Sequence, residues 1–152
     1  MQLADNVTIK VLELAEVIPL RQQLLRPGKP VESCFFNGDY GKQAARHFGA
    51  LVDGRLVSIA SIYAAHYPLD ASLPAWQLRG VATLVQNRGR GLASKLVREA
   101  VAFAATQNAS LVWCNVRVKA LALYSRQGFY AVGDEVMIAD IGWHRLMCCD
   151  LV

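Results

Sequence analysis

The 152-residue sequence has no apolar run long enough to cross a bilayer. Its longest apolar stretches are broken by Asp53, His66, Arg98 or Glu99, well short of the eighteen or so residues a span needs. The opening MQLADNVTIK has no secretory h-region, so a cytoplasmic protein without membrane contact is expected. It has no Ser-, Pro- or Gln-rich tract and no internal repeat. With 54% hydrophobic against 18% charged residues, disorder is excluded and one domain spanning 1–152 with a packed core is expected. The four cysteines, Cys34, Cys114, Cys148 and Cys149, form no CxxC pair, so they are expected to be reduced and buried, and no metal site is expected. No basic run is interleaved with aromatics, which argues against a nucleic-acid surface. The net charge of +4 suits an anionic ligand without identifying one.

What is present alternates between two periods. VTIKVLEL has strand alternation, and PLRQQLL has a helical pattern that ends at Pro27-Gly28. The Gly- and Pro-rich RPGKPVESCFFNGDYGKQ has no period and is expected to be a long loop with one short helical turn. HFGALVDGRLVSIASIYAA contains two β-type runs joined by Asp53-Gly54, a hairpin signal because both residues tolerate positive φ. WQLRGVATLV (strand), GLASKLVREAVAFAATQN (helix), LVWCNV (strand) and KALALYSRQ (a short helix stopping at Gly128) follow, and YAVGDEVMIA with HRLMCCDLV closes the chain as a strand pair. The order β-α-loop-β-β-β-α-β-α-β-β predicts an α/β (α+β) mixed sheet with helices on both faces.

The stretch Gln86-Asn87-Arg88-Gly89-Arg90-Gly91 joins a strand to a helix whose apolar positions Leu92, Leu96, Ala100 and Phe103 recur at helical spacing. A helix start offers unpaired N–H groups and the positive end of the dipole, and glycine lets an anion approach closely. Arg88 and Arg90 add full charges, which favours a ligand with more than one phosphate. A Rossmann fingerprint would need glycine at Ser94, and a P-loop would need a Gly-Lys-Ser/Thr end. Neither is present, so the loop alone allows a plain left-handed turn as well as a phosphate site.

Gln86-x-x-Gly89-x-Gly91, between a strand and an amphipathic helix, resembles the acetyl-CoA pyrophosphate loop of the GNAT superfamily of N-acetyltransferases, with Ala93 as its third small residue. Ala120-Leu121-Ala122-Leu123-Tyr124-Ser125-Arg126-Gln127-Gly128-Phe129 resembles the same superfamily's A-x-x-x-Y-x-x-x-G-F pattern. LRPGKP, FFNGDY, HFGALVDG, QLRGVAT, WCNVR and IGWH are similar to a bacterial subgroup of it. The resemblance implies a GNAT-like fold with a splayed sheet, acetyl-CoA as cosubstrate and an N-acetyltransferase. It further implies binding by Arg88, Gly89, Arg90, Gly91, Leu92 and Ala93, and pairing of the pantetheine with the backbone of Val81, Ala82 and Thr83. Tyr124 is the implied general acid for the departing thiolate. An unperturbed phenol, with a pKa of about 10, is protonated at neutral pH and can donate.

Asn115, on the strand after the helix, is expected to contact the cofactor or to cap the next helix. The acceptor amine must lose a proton, and Glu32, Asp39, His47, Asp134, Glu135 and His144 are candidate bases, with His144 carried into the site. Arg79 and Arg117, in or beside apolar strands, are expected in structural ion pairs or against an acidic group. No nucleophile motif stands near Cys114, so direct transfer to a small amine or peptide is expected, by a monomer or homodimer. The rival reading is a non-catalytic acyl-CoA-binding domain, which needs the loop and no acid.

Overall fold

In the computed structural model, which describes residues 6–41, 44–139 and 142–151, β1 (Val7–Leu12), β2 (Ala45–Val52), β3 (Arg55–Ala64) and β4 (Ala75–Thr83) form an antiparallel series. β5 (Leu111–Arg117) joins β4 in parallel, and β7 (Gly142–Asp150) lies between β5 and β6 (Tyr130–Ile138) of the same chain. The seven strands run in the order β1-β2-β3-β4-β5-β7-β6. Helices α1 (Leu14–Leu25), α2 (Leu92–Thr106) and α3 (Leu121–Ser125) fall where the sequence order requires. Asp53 (φ 49°) and Gly54 (φ 84°) make the β2–β3 turn, as their tolerance of positive φ predicted.

The core is built on both faces of the sheet. Leu92, Leu96, Val97, Ala100 and Ala104, spaced to share one side of α2, pack against Phe48, Ala50, Ala60, Ile62 and Leu78. Leu12, Val17 and Ile59 pack beneath α1 on the other face. No helix among the described residues is long and apolar enough to cross a membrane.

Three expectations are corrected. Helix α1 begins five residues before Pro19, because Glu16 reaches back to the Glu13 N–H (3.0 Å) and burial of Val17 and Ile18 rewards the extra turn despite the interior proline. Strand β7 begins at Gly142, ahead of His144. Cys34, Cys114 and Cys148 are buried, but Cys149 is only half-buried, since alternation turns it away from Cys148.

A buried polar cluster ties α1 to the sheet. Arg21, 0% exposed, donates to both carboxylate oxygens of Asp39 (2.8 and 3.2 Å), to Ser61 Oγ (2.9 Å), to Tyr63 Oη (2.7 Å) and to the Cys34 carbonyl (3.0 Å). Tyr63 in turn donates to Asp39. Of the expected loop, residues 42–43 lie outside the described residues; residues 26–41 contain the anticipated short turn, a 3₁₀ turn at Val31–Cys34, and this cluster pins them to β3.

Candidate active site

Strands β4 and β5 pair only through Ala75–Leu111, Trp76–Val112 and Gln77–Trp113, and beyond that point they separate. β5 cannot follow β4, because its other edge stays paired with β7 as far as Arg117–His144. β4 bends away at Gly80 (φ 65°), where its register against β3 shifts between Ile59 and Ser61. A side chain at Gly80 would be strained by its φ and would meet Phe36 at 3.0 Å. The result is a wedge-shaped slot.

The Leu84 N–H donates to Val57 O (2.9 Å), and the Ala82 carbonyl accepts from Ser58 Oγ (3.2 Å), so both residues face β3. Strand alternation then turns the N–H and C=O groups of Val81 and Thr83 toward the slot. An extended amide chain entering it meets a ready strand edge.

At the open end lies the glycine loop. Gly89 (φ 78°) and Gly91 (φ 76°) are left-handed, and the first helical bond of α2 is Lys95 N–H to Gly91 O (3.1 Å). The N–H groups of Leu92, Ala93 and Ser94 are therefore not used within the helix, and no acidic side chain stands in its first turn. A cavity of about 200 Å³ opens here, lined by Thr83, Asn87, Arg88, the two glycines, Leu92 to Ser94, Leu123 and Arg126. Arg88 Nε also donates to the Thr83 carbonyl (3.2 Å), tying the loop to the strand end. Arg90 does not line the cavity, whereas Arg126 and Ser94, passed over in the sequence, do. The signal for Arg126 was a cation between Tyr124 and Gly128. Nothing crowds a Cβ at Gly91, so the cost of Gly91→Ala is conformational. A loss of about 1–2 kcal/mol is expected in denaturant unfolding.

Tyr124 is buried on α3, with its ring edge-on to Phe129 at 5.7 Å and within the same cluster as Cys114 and Val116 of β5. Gly128 (φ 93°) ends the helix, and the Phe129 N–H returns to the Tyr124 carbonyl (3.1 Å), the cap expected for that pair. Burial, and then the Cys114 thiol, push the Tyr124 pKa up. Among the described residues its hydroxyl makes no hydrogen bond.

The opposite face of the slot carries the remaining candidates. His144 is buried and its Nδ1 lies 2.7 Å from Gly142 O, which places the proton on Nδ1 and leaves Nε2 with a lone pair in the neutral ring. With Asn115 and Asp134 it lines a cavity of about 280 Å³. Asn115 caps no helix, since Arg117 and Ala120 hold the cap positions that follow it. Glu135 lies in a separate recess with Arg117, and Glu32 is exposed.

Asp39 and His47 belong to the Arg21 cluster instead. Burial pushes the Asp39 carboxyl up, but hydrogen bonds from Arg21, Tyr63 and the Phe36 N–H outweigh it and hold the pKa low, so Asp39 is a poor base. Burial and Arg21 likewise lower the pKa of His47, whose Nδ1 contacts Ser61 Oγ at 2.7 Å. Neither Arg79 nor Arg117 forms an ion pair among the described residues; Arg79 lies over the Phe36 ring at 4.3 Å. No group of three or more metal-ligating side chains is assembled among the described residues.

The profile of the acetyltransferase (GNAT) family matches residues 14–129. The chain is 32% identical over 139 residues, 91% of its length and 93% of the other, to a protein named uncharacterized N-acetyltransferase YitI from Bacillus subtilis (strain 168). Among solved structures it superposes on the NatC complex bound to Gag peptide and CoA with a TM-score of 0.77 at 15% identity, covering 97% of this chain and 99% of that one. It matches the ribosomal-protein-S18-alanine N-acetyltransferase from Escherichia coli with a TM-score of 0.72 at 16% identity, covering 96% and 94%. These two likenesses concern the fold alone.

Proposed function

The chain belongs to the acetyltransferase (GNAT) family and is an acyl-CoA-dependent N-acetyltransferase, and we propose that it moves an acetyl group from acetyl-CoA to a primary amine of a small molecule or peptide by direct attack, within one domain spanning residues 1–152. The observation that carries this reading is the slot, with strand-edge groups of β4 turned into it, an electropositive helix start at its open end and a buried phenol beside it. Bound acetyl-CoA supplies the activated thioester.

Gly89, Gly91, Leu92 and Ala93 hold the pyrophosphate through backbone N–H groups, with Arg88, Arg90 and Arg126 in support. Val81 and Thr83 align the pantetheine, with Ala82 between them holding the strand to β3, and one slot-facing N–H steadies the carbonyl oxygen as charge develops on it. Asn115 contacts the cosubstrate from β5. Tyr124 keeps its proton for the departing sulfur, which suits a phenol whose burial raises its pKa. His144 takes the proton of the incoming amine at Nε2. His144→Gln is expected to lower turnover without changing acetyl-CoA affinity, measured by calorimetry and thiol release.

Direct transfer agrees with the state of Cys114. Burial, followed by Cys148 and Cys149, pushes its thiol pKa far up, so no thiolate is available to carry the acyl group. The test is calorimetry with acetyl-CoA, then free-thiol release against amines, amino acids, polyamines and peptides. Binding followed by acceptor-dependent thiol release is expected. Absence of binding would end the reading, and binding without release from any acceptor would favour a non-catalytic sensor.

A further inference from the structure

The slot has two faces with different furnishings. Leu78 on β4 and Cys114 and Val116 on β5 turn toward α2 and α3, into one buried cluster with Leu92, Leu96 and Tyr124. Alternation sends Gln77 and Arg79 of β4, and Trp113, Asn115 and Arg117 of β5, to the other face. With the cosubstrate entering from the α2 side, the acceptor must reach the thioester from this second face.

Two guanidiniums lie over one ring there: Arg21 at 4.0 Å and Arg79 at 4.3 Å from the Phe36 centroid. Arg21 is neutralised by Asp39 through two hydrogen bonds. Arg79 is half-buried and has no carboxylate within ion-pair distance among the described residues. The local count is two cations and one anion, with Arg26 close enough to add to the field. Burial of an unpaired cation is costly, and a ligand anion would offset that cost. Stacking on Phe36 also fixes the planar fork of Arg79, the geometry that matches an oxyanion in two hydrogen bonds. Arg79 precedes the Gly80 bend and stands two residues, about 7 Å, from Val81 on the slot edge. One small bifunctional molecule spans that distance.

We propose that the acceptor is a primary amine that also bears an oxyanion, carboxylate or phosphate, which Arg79 binds while the amine meets the thioester. The proposal rests on the N-acetyltransferase reading above. It makes the Arg79 end of the site hostile to polyamines, because a second ammonium group placed there would face a guanidinium with no carboxylate within ion-pair distance among the described residues. The same cation favours loss of a proton from the amine, since a neutral amine is repelled less than an ammonium.

The test compares matched acceptors in the thiol-release assay: amino acids against their carboxamides, phosphoethanolamine against ethanolamine, and spermidine. Binding of the same compounds to CoA-saturated protein is measured alongside by calorimetry. In the wild type the oxyanion member of a pair is expected to have the higher kcat/KM and the tighter binding, and the better pair tells carboxylate from phosphate. Arg79→Gln is expected to lower the ratio of kcat/KM, oxyanion member over neutral partner, by about ten- to a hundred-fold, chiefly through KM. Arg79→Lys keeps the charge without the fork and is expected to restore part of the ratio, which guards against a folding defect in the glutamine variant. A wild-type preference for spermidine or the carboxamides, or an unchanged ratio in Arg79→Gln, would overturn the proposal while leaving the transferase reading intact. Failure to bind acetyl-CoA would remove both.

Discussion

Tyr124→Phe is expected to lower kcat by about 10²- to 10⁴-fold, the usual contribution of a positioned general acid. Acetyl-CoA affinity should change little, because phenylalanine keeps the edge-on contact with Phe129 and the packing against Cys114. Stability should change little too. The hydroxyl makes no hydrogen bond among the described residues, so its removal leaves no partner unsatisfied. Loss of turnover in a protein that unfolds and binds like the wild type would therefore report on chemistry. The pH profile supplies a second readout. Burial raises the Tyr124 pKa, so the acid form persists as pH rises, and no loss of kcat assignable to this group is expected up to about pH 10. Turnover equal to wild type would remove Tyr124 from the mechanism and return its burial to packing alone.

The element order was legible because hydrophobic periodicity and turn residues are local signals, and Asp53-Gly54 and Gly128-Phe129 adopt the conformations their chemistry demands. The start of α1 was hidden by Pro19, which resembles a first-turn residue until tertiary burial of Val17 and Ile18 is known. Charge partners were the least legible feature. Arg21, in the polar-looking stretch LRQQLL, carries no local mark of burial, and its partners Asp39 and Tyr63 lie 18 and 42 residues away. The same long range explains why Asp39 and His47 resembled bases, and why Arg79 was expected to have a carboxylate partner. Separation of β4 from β5 was anticipated only through the family resemblance. Its structural cause, a left-handed Gly80 packed against Phe36, joins residues far apart in the chain.

Asp39→Asn is expected to destabilise the protein by about 3–5 kcal/mol, because it strips the counter-charge from a guanidinium that is wholly buried. Replacing both members, as Arg21→Met with Asp39→Leu, should recover much of that loss, since neither member is then left as a buried charge without the other. Denaturant unfolding across pH separates this from ordinary packing damage. Within the cluster two groups bind protons less readily when folded than when unfolded: His47, lowered by burial and Arg21, and Asp39, lowered by its hydrogen bonds against the push of burial. Each contributes stability above its unfolded pKa that is lost as pH falls. The wild type should therefore weaken first below about pH 6.5, as unfolded histidine takes up a proton, and again below about pH 4, as the carboxylate does. Asp39→Asn shrinks the second step to what Glu16 and Asp70, whose carboxyls are also lowered by hydrogen bonds, contribute, and deepens the first. With the carboxylate gone, the unneutralised Arg21 disfavours protonation of His47 further, while Asp39 no longer opposes that effect. A single step identical in the two proteins would show that the cluster does not govern acid stability. The consequence reaches the active site, because Arg21 also holds the Cys34 carbonyl and lies over the Phe36 ring that supports Arg79. Discrimination between charged and neutral acceptors should therefore decline in Asp39→Asn at denaturant concentrations below those that unfold the chain.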